Sequence, residues 1–244
     1  MSGTVITRRL TGYDVAVREW GTGGPTVVLV HGIGVSHRYF APLARLLGDS
    51  CRVLAPDLPG FGASAGPAEV LTIEQHAEVV ADLLEQVGGP STVLVGHSMG
   101  AQVVTEAAVR DPGLAERVVL IGPVIQPGHR YFPEQAGRLL RDARYERATA
   151  NAIMFADWVR CGPRRYLGTV PSMLGYPLED RLPLVTAPVV LVRGAKDTVA
   201  PRDYLDLLAD RAQQGSVVQI EDAAHVVMYS RPALVAEVCR GVRC

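Results

Sequence analysis

A single lysine, Lys196, stands among 244 residues, and the other 23 basic side chains are arginines. The skew names no chemistry. The 24 basic residues are balanced by 25 acidic ones, for a net charge of −1, so no excess positive field draws phosphate backbones and nucleic-acid binding is not expected. Four cysteines, Cys51, Cys161, Cys239 and Cys244, are scattered, with no C-x-x-C pair and no histidine at zinc-finger spacing. Neither a disulfide framework nor a metal site is expected from them. No stretch of about 18 apolar residues occurs, and Met1 to Leu10 holds no apolar segment before a small-residue cleavage site, so the chain reads as cytoplasmic, without a membrane span. Repeats and low-complexity tracts are also missing. What is present is 48% hydrophobic and 20% charged residues, enough for one domain with a sizeable core, or a domain plus an insertion.

Short β-branched runs ending in Gly or Pro alternate with longer stretches of helical period, the pattern of an α/β protein with a mostly parallel sheet. Val5 to Leu10 and Tyr13 to Trp20, split by Thr11-Gly12, predict an antiparallel hairpin at the sheet edge. Further strands are predicted at Thr26 to Val30, Arg52 to Ala55, Thr92 to Val95, Val118 to Ile121, Val189 to Val192 and Val217 to Ile220. Each is nearly all apolar, as for strands buried on both faces. Thr72 to Val87 carries Ile73, Ala77, Val80, Leu83, Leu84 and Val87 at helical spacing, with Thr72 as N-cap and Gln75 completing a capping box. Other helices are expected to start near Ser36, Met99, Pro201 and Arg231. Residues 125–186 hold no convincing strand and are too many for a simple crossover; they read as a helical cap inserted after the sixth strand.

In parallel sheets, sites gather at the carboxyl ends of strands. Gly96-His97-Ser98-Met99-Gly100 fits G-x-S-x-G, a strand-to-helix turn that exposes a strained serine and demands small flanking residues. A base and an orienting acid should follow in the order serine, acid, histidine. Only His129 and His225 follow Ser98, and His129 precedes Asp197, which sits just past the Val189 strand. Asp197 and His225 are therefore the candidate acid and base. Asp222 lies too close in sequence to His225 to reach its imidazole from behind, and an ordinary capping role is the rival reading of Asp197. In such a triad Ser98 attacks, His225 carries its proton, and Asp197 fixes the tautomer.

Here the sequence resembles the α/β-hydrolase family almost end to end. The resemblance rests on His31-Gly32, the turn Asp57-Leu58-Pro59-Gly60-Phe61-Gly62, the elbow Gly96 to Gly100, Gly194-x-x-Asp197-x-x-x-Pro201, and Ala224-His225 followed by Pro232. Ala224 departs from the frequent glycine, and Ser230 from an often acidic residue. The resemblance implies the α/β-hydrolase fold, with an eight-stranded sheet, a core of residues 1–124 and 187–244, and a cap of residues 125–186. It also implies backbone N–H groups of Ile33 and Met99 as the oxyanion hole, and no cofactor or metal.

For His31, His37 and His97, structural hydrogen bonding outweighs direct chemistry, although His31 and His97 are also candidates for the substrate pocket. His76 reads as a solvent-facing helix residue, and Asp57 as part of a structural turn. Half of the chain's 14 aromatic residues fall in the insertion, and Phe132, Phe155 and Trp158 are candidate pocket walls. The expected activity is a serine hydrolase acting on an ester or thioester of a hydrophobic small molecule, with a carrier-protein or CoA thioester compatible but unselected. A serine at the elbow argues against relatives that use aspartate there. Carbon–carbon bond hydrolysis, elimination, cyclisation, acyl transfer, and a small-molecule receptor with an idle triad remain alternatives within the same family.

Overall fold

The computed structural model describes residues 3–87, 89 and 91–241; Cys244 lies outside them. Strands β1 (Thr4–Leu10), β2 (Tyr13–Trp20), β3 (Thr26–Val30), β4 (Arg52–Pro56), β5 (Thr92–His97), β6 (Arg117–Ile121), β7 (Val189–Gly194) and β8 (Gly215–Ile220) form one sheet in the order β1-β2-β4-β3-β5-β6-β7-β8. The first two strands form an antiparallel hairpin, β2 runs antiparallel to β4, and the remaining neighbours are parallel. Thr11 and Gly12 both have positive φ, 44° and 85°. That is the backbone hand a two-residue hairpin turn needs to match the strand twist.

Helices α1 (Ala41–Leu47), α2 (Ile73–Val87), α3 (Met99–Arg110), α4 (Phe132–Asp142), α5 (Ala148–Cys161), α6 (Pro163–Gly175), α7 (Leu178–Arg181), α8 (Arg202–Arg211), α9 (Val227–Ser230) and α10 (Pro232–Arg240) follow in chain order. The α2 capping box is formed reciprocally: Thr72 N–H donates to Gln75 Oε1 at 2.9 Å and Gln75 N–H to Thr72 Oγ1 at 3.3 Å. Because side chains alternate across a strand, each central strand feeds two cores. Val28, Val30, Leu94 and Leu120 pack with α2, α3 and α8 on one face, and Val27, Leu29, Val95 and Ile121 pack with α1 and α10 on the other. Truncating one such side chain, Leu29→Ala for example, costs about 2–5 kcal/mol.

Two expectations are corrected here. β8 is the edge strand beyond β7 and is exposed over much of its length, so its apolar run is not buried on both faces. His76 is 1% exposed and packs beside Phe61, with ring centroids 5.8 Å apart. It lies three residues after Ile73 and four before Val80, on the apolar stripe of α2, and burial pushes its pKa down to about 3.

Helices α4 to α7 occupy the segment between β6 and β7. Its last part returns to the core: Leu178, Leu182 and Val185 are fully buried among residues of α3 and α8. Tyr176, one of the insertion's aromatics, is likewise buried and donates to Glu106 Oε2 at 2.9 Å. No described helix is long and apolar enough to cross a membrane.

Candidate active site

Ser98 links β5 to α3 with φ 56° and ψ −121°, a conformation that L residues rarely adopt and that surrounding structure must enforce. Its N–H donates to Ile121 O at 2.9 Å. A Cβ at Gly96 would lie 2.2 Å from Gly100 O, and one at Gly100 2.2 Å from Val30 O, so neither flank admits a side chain. The loop after β3 crosses close by, where a Cβ on Gly32 would sit 3.0 Å from Ser98 Cβ and 3.5 Å from its Oγ. Ile33 follows Gly32 and Met99 opens α3. Among the described residues neither amide has a protein acceptor. Unpaired amides are the ordinary condition at a helix start, and such donors are what an oxyanion requires.

His225 and Asp197 come from loops after β8 and β7. The His225 Nδ1–H donates to Asp197 Oδ2 at 3.0 Å, with both side chains buried. Asp197 also makes the capping contacts weighed against the triad role. Its Oδ1 accepts from Val199 N at 2.8 Å and Ala200 N at 2.9 Å, leaving Oδ2 for the imidazole. The buried Arg193 guanidinium holds the same loop through Asp197 O at 3.0 Å and Ala200 O at 3.0 Å. Burial opposes a charge on His225, but the Asp197 carboxylate, with Asp142 and Glu146 nearby, outweighs it and raises the imidazole pKa to about 9.

His97, the neighbour of Ser98, lies beside His225 with ring centroids 4.6 Å apart. Its Nε2–H donates to His225 O at 3.1 Å, and its Nδ1 accepts from the Tyr39 hydroxyl at 2.8 Å. Tyr39 in turn accepts from Gly32 N–H at 2.9 Å. One buried chain thus ties the loop before Ile33 to the loop of His225. Burial first, then the nearby His225, holds His97 well below the usual imidazole range, which fits a neutral ring with one donor and one acceptor nitrogen.

His31 is used in the same way, donating from Nδ1 to Gly32 O at 2.8 Å and accepting Leu58 N–H at Nε2 at 2.9 Å. Both rings are buried with both nitrogens occupied, and neither His31 nor His97 is among the residues of the crevice formed by α4, α5 and α6. Phe132, Phe155 and Trp158 do line a crevice of about 640 Å³ between α4, α5 and α6, together with Leu139, Met154 and Tyr166. Trp158 and Tyr166 pack against Gly34, where a Cβ would lie 2.7 Å and 2.6 Å from their rings. The crevice thus adjoins the loop that carries Ile33.

Sequence reasoning missed Tyr39, Arg193 and Gly122. Gly122 follows β6 with φ 52°, and a Cβ there would lie 2.8 Å from the His225 ring and 3.2 Å from Asp197 Oδ2. Its place at the end of a buried strand was a readable signal. The partners of Tyr39 and Arg193 are set by tertiary contacts that no local pattern records. Among the described residues, no group of His, Cys, Asp and Glu is arranged to hold a metal ion.

The profile of the alpha/beta hydrolase family matches residues 27–238. The uncharacterized hydrolase YugF of Bacillus subtilis is 39% identical over 243 residues, covering 88% of this chain and 88% of that protein. The pimeloyl-[acyl-carrier protein] methyl ester esterase of Aeromonas hydrophila is 28% identical over 258 residues, covering 92% and 97%. Among solved structures, the enol-lactonase from Burkholderia xenovorans superposes with a TM-score of 0.84 at 22% identity, over 97% of this chain and 99% of that one, a likeness of fold.

Proposed function

The chain belongs to the alpha/beta hydrolase family, and from that premise we propose that it is a serine hydrolase cleaving an ester or thioester of a small hydrophobic compound through Ser98, His225 and Asp197. The observation that carries the reading is the buried Asp197–His225 hydrogen bond, taken with a serine held at positive φ where β5 turns into α3. In this mechanism Ser98 Oγ attacks the acyl carbon while His225 Nε2 takes its proton. The oxygen that gains charge is met by the Ile33 and Met99 amides. Collapse of the tetrahedral species breaks the bond to the leaving alcohol or thiol, which receives the proton from His225. Water, deprotonated by the same imidazole, then attacks the acyl-enzyme, and Ser98 leaves with the proton restored. Asp197 holds Nδ1–H throughout and stabilises the imidazolium.

The crevice beside Gly34 supports an apolar acyl chain as the partner, since its walls are aromatic and aliphatic. Each methylene buried there contributes about 0.8 kcal/mol, or roughly fourfold in kcat/KM by the tenfold-per-1.36 kcal/mol relation. The setting in this reading is the cytoplasm, where the unpaired Cys51, Cys161 and Cys239 would stay reduced.

The test is a series of p-nitrophenyl and acyl-thioester substrates of increasing chain length. The expected result is a rise in kcat/KM with chain length that is lost in Trp158→Ala, and a fall in turnover of about four to six orders of magnitude in Ser98→Ala and His225→Ala. Near-full turnover in either triad variant contradicts the mechanism, and a flat chain-length series contradicts the substrate class.

A further inference from the structure

The loop that carries His225 is held from above as well as from the sheet. Asp142, the last residue of α4, is 1% exposed. Its Oδ1 accepts from His225 N–H at 3.2 Å and Thr198 N–H at 3.3 Å, with Oδ2 3.3 Å from the same His225 nitrogen. Glu146, four residues further along in the turn between α4 and α5, places Oε1 2.6 Å from the Val226 nitrogen, while its Oε2 is buried without a partner. Two carboxylates of the inserted segment therefore grip consecutive amides of the base loop, and one also grips the residue after Asp197. Arg147 adds a contact from the same stretch to Ser230 O at 3.2 Å.

Amide N–H groups need only a neutral acceptor, and a carboxylate is a costly choice at a buried site. Burial is the leading cause that raises Asp142 to about 6 and Glu146 to about 7, with the neighbouring acids adding to it. That cost is offset when a positive charge forms close by. Among the described residues, His225 is the group whose positive charge acts on both acids: it is faced by Asp197 from the loop after β7, by Asp142 and Glu146 from the inserted segment, and by the neutral His97 ring from the end of β5.

We propose that Asp142 and Glu146 are positioning residues for the reaction, fixing the His225 backbone and stabilising the imidazolium by their charge, so that the base is complete only with the inserted helices seated. The proposal rests on the triad reading above. It makes α4 part of the catalytic apparatus as well as a wall of the apolar crevice, and it couples any movement of that helix to the strength of the base.

The experiment compares Asp142→Asn, Glu146→Gln and the double variant with Asp142→Ala and Glu146→Ala. Thermal melts establish folding, and three readouts follow: the pH profile of kcat/KM, the separate kcat and KM, and the titration of the His225 ring by NMR. Asn and Gln keep an acceptor oxygen and lose the charge. The expected result is a plateau kcat within about threefold of the parent and an acid limb displaced to lower pH by on the order of one unit. Ala removes acceptor and charge together, and kcat is expected to fall by about 10- to 100-fold with KM within twofold, as for a misplaced catalytic group. An unmoved acid limb and ring titration in the folded double variant would overturn the proposal. So would Ala variants whose loss lies in KM alone. The NMR titration needs no substrate: a displaced His225 titration in a protein whose Ser98→Ala variant keeps its turnover would sink the hydrolase mechanism and leave the charge coupling standing.

Discussion

Gly122→Ala isolates the geometry of the base from its chemistry, because it alters no catalytic atom. The added Cβ would lie 2.8 Å from two atoms of the His225 ring and 3.2 Å from Asp197 Oδ2. Nonbonded carbon contacts settle near about 3.5 Å, so the ring or its loop must give way by roughly 0.7 Å. Displacements approaching 1 Å in a catalytic group cost about 100-fold in rate, which corresponds to about 2.7 kcal/mol of transition-state stabilisation at 1.36 kcal/mol per tenfold. The backbone contributes separately: Gly122 sits at φ 52°, where a Cβ costs about 1–2 kcal/mol. For a chain of this length that lowers the melting temperature by roughly 2–8 °C. The assay is kcat/KM on a p-nitrophenyl ester, with a thermal melt on the same preparation. A folded variant within threefold of the parent would refute the reasoning, since it would mean that the His225–Asp197 pair beside Gly122 does not set the rate.

Other outcomes follow from the same site. In the proposed mechanism His225 must be neutral to accept the Ser98 proton, and its pKa is raised to about 9. The free enzyme is therefore mostly in the wrong protonation state at neutral pH, and kcat/KM should rise with pH until about 9; a plateau already reached at pH 7 would contradict this. Tyr39→Phe leaves Gly32 N–H and His97 Nδ1 without their bonds to the hydroxyl. It should cost about 1–3 kcal/mol of stability and lower kcat more than it changes KM, measured by chemical denaturation and steady-state kinetics.

How much of this was legible in the chain depended on the range of the interactions. Val27 to Val30 or Val118 to Ile121 announce themselves because a strand buried on both faces must be apolar throughout, and Thr72 and Gln75 bond within a single turn. The candidate residues Ser98, Asp197 and His225 could be picked out because each follows a strand and the parallel sheet brings strand ends together; the structure joins Asp197 to His225 by a hydrogen bond. His76 was misread although its spacing from Ile73 and Val80 placed it on the buried stripe; residue type was allowed to outweigh position. Asp142 and His225 are 83 residues apart, and Tyr39 and His97 are 58 apart. Nothing local marks a carboxylate that will meet a distant amide, and the helical period of α4 gives Asp142 no special standing.

The most direct test of the central claim is intact-mass measurement of the protein and its Ser98→Ala variant after exposure to a fluorophosphonate. The account predicts one covalent adduct on the parent and none on Ser98→Ala, because only a serine activated by His225 with the Ile33 and Met99 amides in place reacts at a useful rate. An unmodified parent, or equal labelling of both proteins, would contradict it.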